Sequence, residues 1–185
     1  MRHWAFLPGL VALPLAIYVT SLAPEPRPPL FHGIPRADRT AVAQLRKVWE
    51  PSTAADSAKE QEARAAVRRR ALAIGEPASR ALLEILADHF RTTGWDEWAQ
   101  ADMDEQFESE GMLIGELATE ATGRGLSRAV ADRRLPQGLR RAMIVALARP
   151  RFAFAAEPLA TLAADRKEDP YVREWILCRF HRLGV

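Results

Sequence analysis

Beyond residue 37, apolar positions recur at helical spacing along most of the chain. Ala78, Ala81, Leu82, Ile85 and Leu86, continued by His89, fall at i, i+3, i+4, i+7, i+8 and i+11, which is one face of a 3.6-residue period. Ala63, Ala66, Val67, Ala71 and Ile74 make a second stripe, and Leu113, Leu117, Ala118 and Ala121 a third. Two more follow: Leu139, Ala142, Met143, Ala146 and Leu147, then Val172, Trp175, Ile176, Phe180 and Leu183. No stretch sustains strand-like alternation, and no Asn-Gly or Asp-Gly hairpin turn occurs. Gly75, Gly123 and Gly184 sit just past stripes, where a left-handed cap residue belongs. Pro77, Pro136, Pro158 and Pro170 sit at stripe starts, where a missing N–H costs nothing. Asp169, before Pro170, can accept a bond from a free helix-start amide. The pattern predicts an all-α body of about eight helices, near 38–49, 58–75, 77–90, 108–122, 125–134, 137–149, 155–165 and 170–183.

The first residues follow a different rule. Trp4 to Ala23 is a run of twenty uncharged residues. As a helix it reaches about 30 Å, the thickness of a bilayer's hydrocarbon core. Residues 1–23 are therefore expected to form one N-terminal transmembrane or signal helix. An uncleaved anchor fits the length better than a cleaved signal, because Pro24 would follow the cut after Ser21 and Ala23. Pro8 and Pro14 are tolerated in membrane spans. Residues 24–36 hold Pro24, Pro26, Pro28, Pro29 and Pro35 and read as a semi-rigid linker. Residues 37–185 form the helical domain. A head of only three residues before an export-like core places that body in the periplasm or otherwise outside the cytoplasm. Arg27, Arg36 and Arg39 pull the other way under the positive-inside rule.

The helices also recur as pairs. Val67-Arg68 leads into Ala71-Leu72-Ala73-Ile74-Gly75, and after a turn comes Ala81-Leu82-Leu83-Glu84-Ile85-Leu86-Ala87-Asp88. Leu139-Arg140 opens a similar helix, followed by Pro158-Leu159-Ala160-Thr161-Leu162-Ala163-Ala164-Asp165 and then by Asp169-Pro170-Tyr171-Val172-Arg173. Arg140 and Arg173 lie 33 residues apart, a period that signals stacked helix pairs. The Asp-Pro-x-Val-Arg string and the Val-Arg…Ile-Gly-Glu-Pro…Leu-Ala-Asp string resemble HEAT repeats, in particular the short phycobilisome-lyase-type HEAT-like variety. The resemblance spans about 60–185 and weakens over 92–135, where an insertion falls near 92–107. It implies a short HEAT-like alpha-solenoid. In it, Asp169, Pro170 and Arg173 are structural repeat residues that cap a helix and bond across to a neighbour. It implies a scaffold rather than a catalyst.

Composition narrows the function. The 185 residues are 48% apolar with a net charge of +2, which excludes a disordered or low-complexity polymer. The single cysteine, Cys178, excludes a disulfide framework and a Cys-based zinc finger; its apolar neighbours predict a buried, inert thiol. Neutrality hides two opposed blocks. Residues 92–122 hold Asp96, Glu97, Asp102, Asp104, Glu105, Glu108, Glu110, Glu116 and Glu120 and no Lys or Arg, a net of −9. Residues 124–151 hold eight arginines against Asp132, a net of +7. Solvated faces are one reading of the blocks; an acidic and a basic surface offered to a partner is the other.

Trp95 and Trp98 in the insertion either pin it onto the body or, exposed, anchor a partner, since interface energy concentrates on aromatics; with Asp96, Glu97, Arg140 and Arg141 they are the partner-binding candidates. Asp102, Asp104 and Glu105 resemble the start of a calcium loop. Phe107 stands where its glycine belongs, however, and Leu113 where its closing Glu belongs, so no metal is expected. An exported body keeps Arg68-Arg69-Arg70 and Arg140-Arg141 away from nucleic acid. No phosphate loop, nucleophile elbow or His-Glu-x-x-His occurs, so neither an enzyme nor a cofactor is expected. The sequence thus reads as a membrane-tethered HEAT-like scaffold that binds another protein, as an accessory subunit of a membrane protein complex. The alternative reading is a lyase- or chaperone-like factor that holds a small molecule or chromophore in its groove.

Overall fold

The structure is a computed structural model and describes residues 33–49, 57–93 and 103–181. The expected membrane segment 1–23, most of the linker, and Trp95, Asp96, Glu97 and Trp98 lie outside the described residues. Among the described residues the chain is all-α, with no strand. The helices are α1 (Arg39–Arg46), α2 (Ser57–Ile74), α3 (Glu76–Thr93), α4 (Met103–Leu117), α5 (Glu120–Val130), α6 (Gln137–Leu147), α7 (Ala156–Ala164) and α8 (Pro170–His181). A 3-10 segment, Pro150–Ala155, leads into α7. None of these helices is long and apolar enough to cross a membrane.

Two sequence expectations shift. The body begins before residue 37. Ile34 is fully buried and lies against Gly125, Arg36 pairs with Glu84 at 3.1 Å, and the Ala37 N–H donates to the Glu84 carboxylate at 3.2 Å. Residues 33–36 therefore pack with the helices rather than extending the linker. The second shift concerns Gly123. Gly75 is the left-handed cap its position predicted, with φ +78° and its N–H on the Ala71 carbonyl at 2.9 Å. Gly123 instead lies inside α5, where a side chain would run into the Phe152 ring. The chain turns earlier, at Ala118 and Thr119, and the Thr119 hydroxyl caps α5 by accepting from the Thr122 N–H at 3.3 Å.

The core is organised around α6. From Leu139 to Leu147 every residue of this helix is buried except Arg141, which is half-buried. It packs on α4, α5 and α8 and touches α3. α4 comes closest, for a reason written in its sequence. Gly111 and Gly115 lie one helical turn apart and face Ala142 and Ala146 of α6. A methyl group built on them would stand 2.6 Å from the Ala142 carbonyl oxygen and 2.5 Å from that of Ala146. The two helices thus meet backbone to backbone, a contact open only to small residues.

α5–α6 and α7–α8 are two copies of one hairpin, offset by 33 residues. Ala131-Asp132-Arg133-Arg134 in the first corresponds to Ala164-Asp165-Arg166-Lys167 in the second. Asp132 accepts the Arg134 N–H at 3.0 Å, and Asp165 accepts the Lys167 N–H at 2.8 Å. Further on, Arg140 Nε donates to the Val130 carbonyl ten residues back at 2.7 Å. Arg173 Nε does the same to Ala163, also ten residues back, at 2.9 Å. In each hairpin the arginine of the second helix ties down the last turn of the first, a place where carbonyls lack helical partners.

Gly111→Ala and Gly115→Ala are each expected to destabilise the chain by about 2 kcal/mol, despite a helix-propensity gain of ~1 kcal/mol, because backbone cannot yield as a side chain can. Thermal unfolding should register roughly 2–4 °C per kcal/mol in a chain of this size. Gly75→Ala meets open space and should cost only the left-handed backbone penalty, ~1 kcal/mol.

Candidate interaction surface

The proposed partner-binding residues separate in the structure. Arg140 is only 2% exposed, which removes it from any surface and corrects the expectation placed on it. Its guanidinium is engaged inside the protein. Nε holds the Val130 carbonyl, Nη1 donates to Glu168 Oε1 at 2.8 Å, and Nη2 lies 2.8 Å from Glu168 Oε2. Glu168 is itself 2% exposed; its carboxylate also accepts the Asp169 N–H at 2.8 Å and lies 3.4 Å from Arg133 Nε. Burial alone would raise the Glu168 carboxyl, but Arg140, the Asp169 amide and Arg133 together hold it below the usual carboxylate range. This two-armed pair joins α6 to the lead-in of α8.

Arg141 is half-buried and stacks its Cζ 4.0 Å from the Trp175 ring centroid on α8. Arg179, one turn on from Trp175, stands over the same ring at 5.1 Å and pairs with Glu108 of α4. Two guanidiniums on one indole, closed by a carboxylate, bind three helices together. Asp169 caps α8: its Oδ1 accepts the N–H groups of Tyr171 at 2.8 Å and Val172 at 3.3 Å, and its Oδ2 accepts from Gln137. Pro170 is the first residue of α8.

Several described side chains of the opposed charge blocks pair across helices or along them. Glu116 of α4 pairs with Arg68 of α2 at 3.0 Å, and Glu120 with Arg124 at 2.6 Å. Glu110 is buried and accepts the indole N–H of Trp49. Arg149 donates to the Met112 carbonyl at 3.1 Å and Arg151 to that of Gly115, completing the end of α4 where cations are favoured. Phe107 is buried on α4, so the stretch 103–117 is helix rather than a calcium loop. No group of three or more potential metal ligands occurs among the described residues.

His89 belongs to a cluster filled by the protein's own rings. Trp49 meets its imidazole edge-on at 5.2 Å between centroids, and Phe90 does so at 5.9 Å. Burial lowers its pKa, favouring the neutral ring. Cys178, expected to be buried, is exposed and shares the outer face of α8 with Tyr171 and Leu177. That face and the Glu168 joint are the features sequence reasoning missed. The 33-residue period sets Arg173 on Arg140 and Leu177 on Ile144, but it carries no sign that Ile144 is buried and Leu177 exposed. Comparison of the chain with protein-family models, with curated proteins and with solved structures finds no match.

Two measurements test the joint. Arg140→Ala should cost about 3–5 kcal/mol by stranding a buried carboxylate, and Arg140→Met with Glu168→Leu should cost less than the single change. Because the folded Glu168 pKa is depressed, its contribution is present above the unfolded value near 4.5 and fades as pH falls through the folded value. Glu168→Gln should therefore flatten the loss of thermal stability below about pH 4.

Proposed function

We propose that this chain is a HEAT-like helical scaffold, a short alpha-solenoid held at the membrane by residues 1–23. It binds another protein as an accessory subunit of a membrane protein complex, with its body on the periplasmic or extracytoplasmic side. What supports the reading is the recurring joint, in which one arginine-to-carbonyl bond repeats at a 33-residue offset in consecutive hairpins. A ladder of equivalent hairpins is what a solenoid is: each unit buries its apolar face on its neighbour and leaves its outside free for a partner. Several charged side chains of the described residues bind helix to helix, as the pairing of Arg140 with Glu168 and of Arg179 with Glu108 illustrates. The uncharged run Trp4 to Ala23 has the length of a bilayer span and supports the tether.

The full chain, expressed in its own cells, should sediment with membranes and be released from them when residues 1–23 are deleted. Extraction in mild detergent should recover a second protein in roughly stoichiometric amount. Recovery of this chain alone, or its appearance in the soluble fraction with residues 1–23 intact, would overturn the reading.

A further inference from the structure

The two equivalent hairpins differ at this arginine: one has a carboxylate against it, and the other has none among the described residues. Arg140 on α6 has its Nη1 and Nη2 on Glu168, in the lead-in to the next helix. Arg173 holds the same place on α8. Its Nε donates to Ala163, yet among the described residues no carboxylate lies against its outer nitrogens. The surroundings repeat the contrast. Ile144 of α6 is fully buried, while its counterpart Leu177 is 60% exposed. Gly138 is half-buried, while its counterpart Tyr171 is 52% exposed. α8 thus shows outward two large apolar side chains, Tyr171 and Leu177, with the exposed Glu174 between them and a guanidinium fork that no described carboxylate engages.

We propose that the outer face of α8 docks a helix of another protein whose first turn is preceded by a carboxylate, this carboxylate engaging Arg173 as Glu168 engages Arg140. The inference rests on the scaffold reading above and names the surface and the partner's chemistry. Charge complementarity selects the occupant, since a planar guanidinium fork matches a carboxylate in two-armed geometry. Within this chain the described acids that lead into helices are already engaged at home, Asp38 on Thr40 and Ala41, Glu168 on Arg140 and Asp169 on Tyr171 and Val172.

Cys178 makes the face testable, being the chain's single cysteine and exposed beside Leu177. Benzophenone-maleimide attached there, on the full chain in detergent-extracted native membranes, should cross-link to another protein. The linked peptide should carry Asp or Glu just before an apolar helical segment. Arg173→Glu should cut the yield about tenfold, with recovery when the partner's acid is changed to Arg. Leu177→Asp, at a side chain with little to lose from the fold, should cut the yield while leaving thermal unfolding unchanged. Cross-linking to a second copy of this chain, or yields indifferent to Arg173 and Leu177, would overturn the proposal. If a partner co-purifies but never links through Cys178, this face is wrong while the scaffold reading stands; if none co-purifies, the scaffold reading falls too. A partner-free arm repeats residues 153–185 after Val185, which sets a new Glu 28 residues beyond Arg173, the spacing of Arg140 to Glu168. This lengthened chain should melt several degrees higher in one transition. An equal gain with Lys in place of the new Glu would refute the carboxylate requirement.

Discussion

The structure depends on the approach of α4 to α6. Helices normally stand 8–10 Å apart because side chains separate them. Here Gly111 and Gly115 remove the separation on one side, and Ala142 and Ala146 nearly remove it on the other. α6 can therefore sink into the centre, where α4, α5 and α8 all reach it. That burial has a consequence for charge. α6 carries Arg140 into a place water does not reach, and an isolated guanidinium there would be intolerable. Glu168 is the response, and with it the lead-in of α8 is fixed against α6. The close packing of one pair of helices thus determines where the last hairpin sits.

A buried ion pair of this kind adds little net stability, because desolvation offsets most of the attraction. Its value here is directional. Apolar faces slide over one another at small cost, whereas a fork bonded at Val130 and Glu168 admits one register. The corresponding lead-in of α6 carries Leu135 in place of Glu168. That side chain is partly buried and packed against the core, so an apolar residue fills the position there. The hairpin architecture tolerates both chemistries, but only the ionic one dictates which helix comes next.

The helices were largely legible in the sequence because their signals agree: a 3.6-residue stripe, a proline at the start and a polar cap such as Asp169 all point one way. The misreadings arose where a residue type has two uses. Glycine ends helices and also lets them touch. Gly75 does the first and Gly123 the second, and nothing local distinguishes them, since the deciding contact comes from Phe152, far along the chain. Arginine pairs read as surface because charge is usually solvated. Arg140 and Arg141 are adjacent, and yet one is buried on Glu168 while the other lies on Trp175. Only the paired Ala-Asp-Arg turns, compared position by position, connect Arg140 to a structural role. For Cys178 the apolar neighbours were real, but they belong to an outer face rather than to the core.

The segregation of charge follows from the same packing. α4 is acidic because the arginines that anchor it come from elsewhere: Arg68 from α2 and Arg179 from α8. The segment after it is basic because its arginines close carbonyls and carboxylates of neighbouring helices, as Arg149 and Arg151 do at the end of α4. Opposite charges placed on different helices can only pair by bringing those helices together, whereas charges of both signs on one helix pair with themselves, as Glu120 and Arg124 do. Separation along the sequence therefore converts charge into tertiary specificity. Arg173 continues this scheme with no carboxylate against it among the described residues, and the proposed partner would extend the same rule to a second molecule.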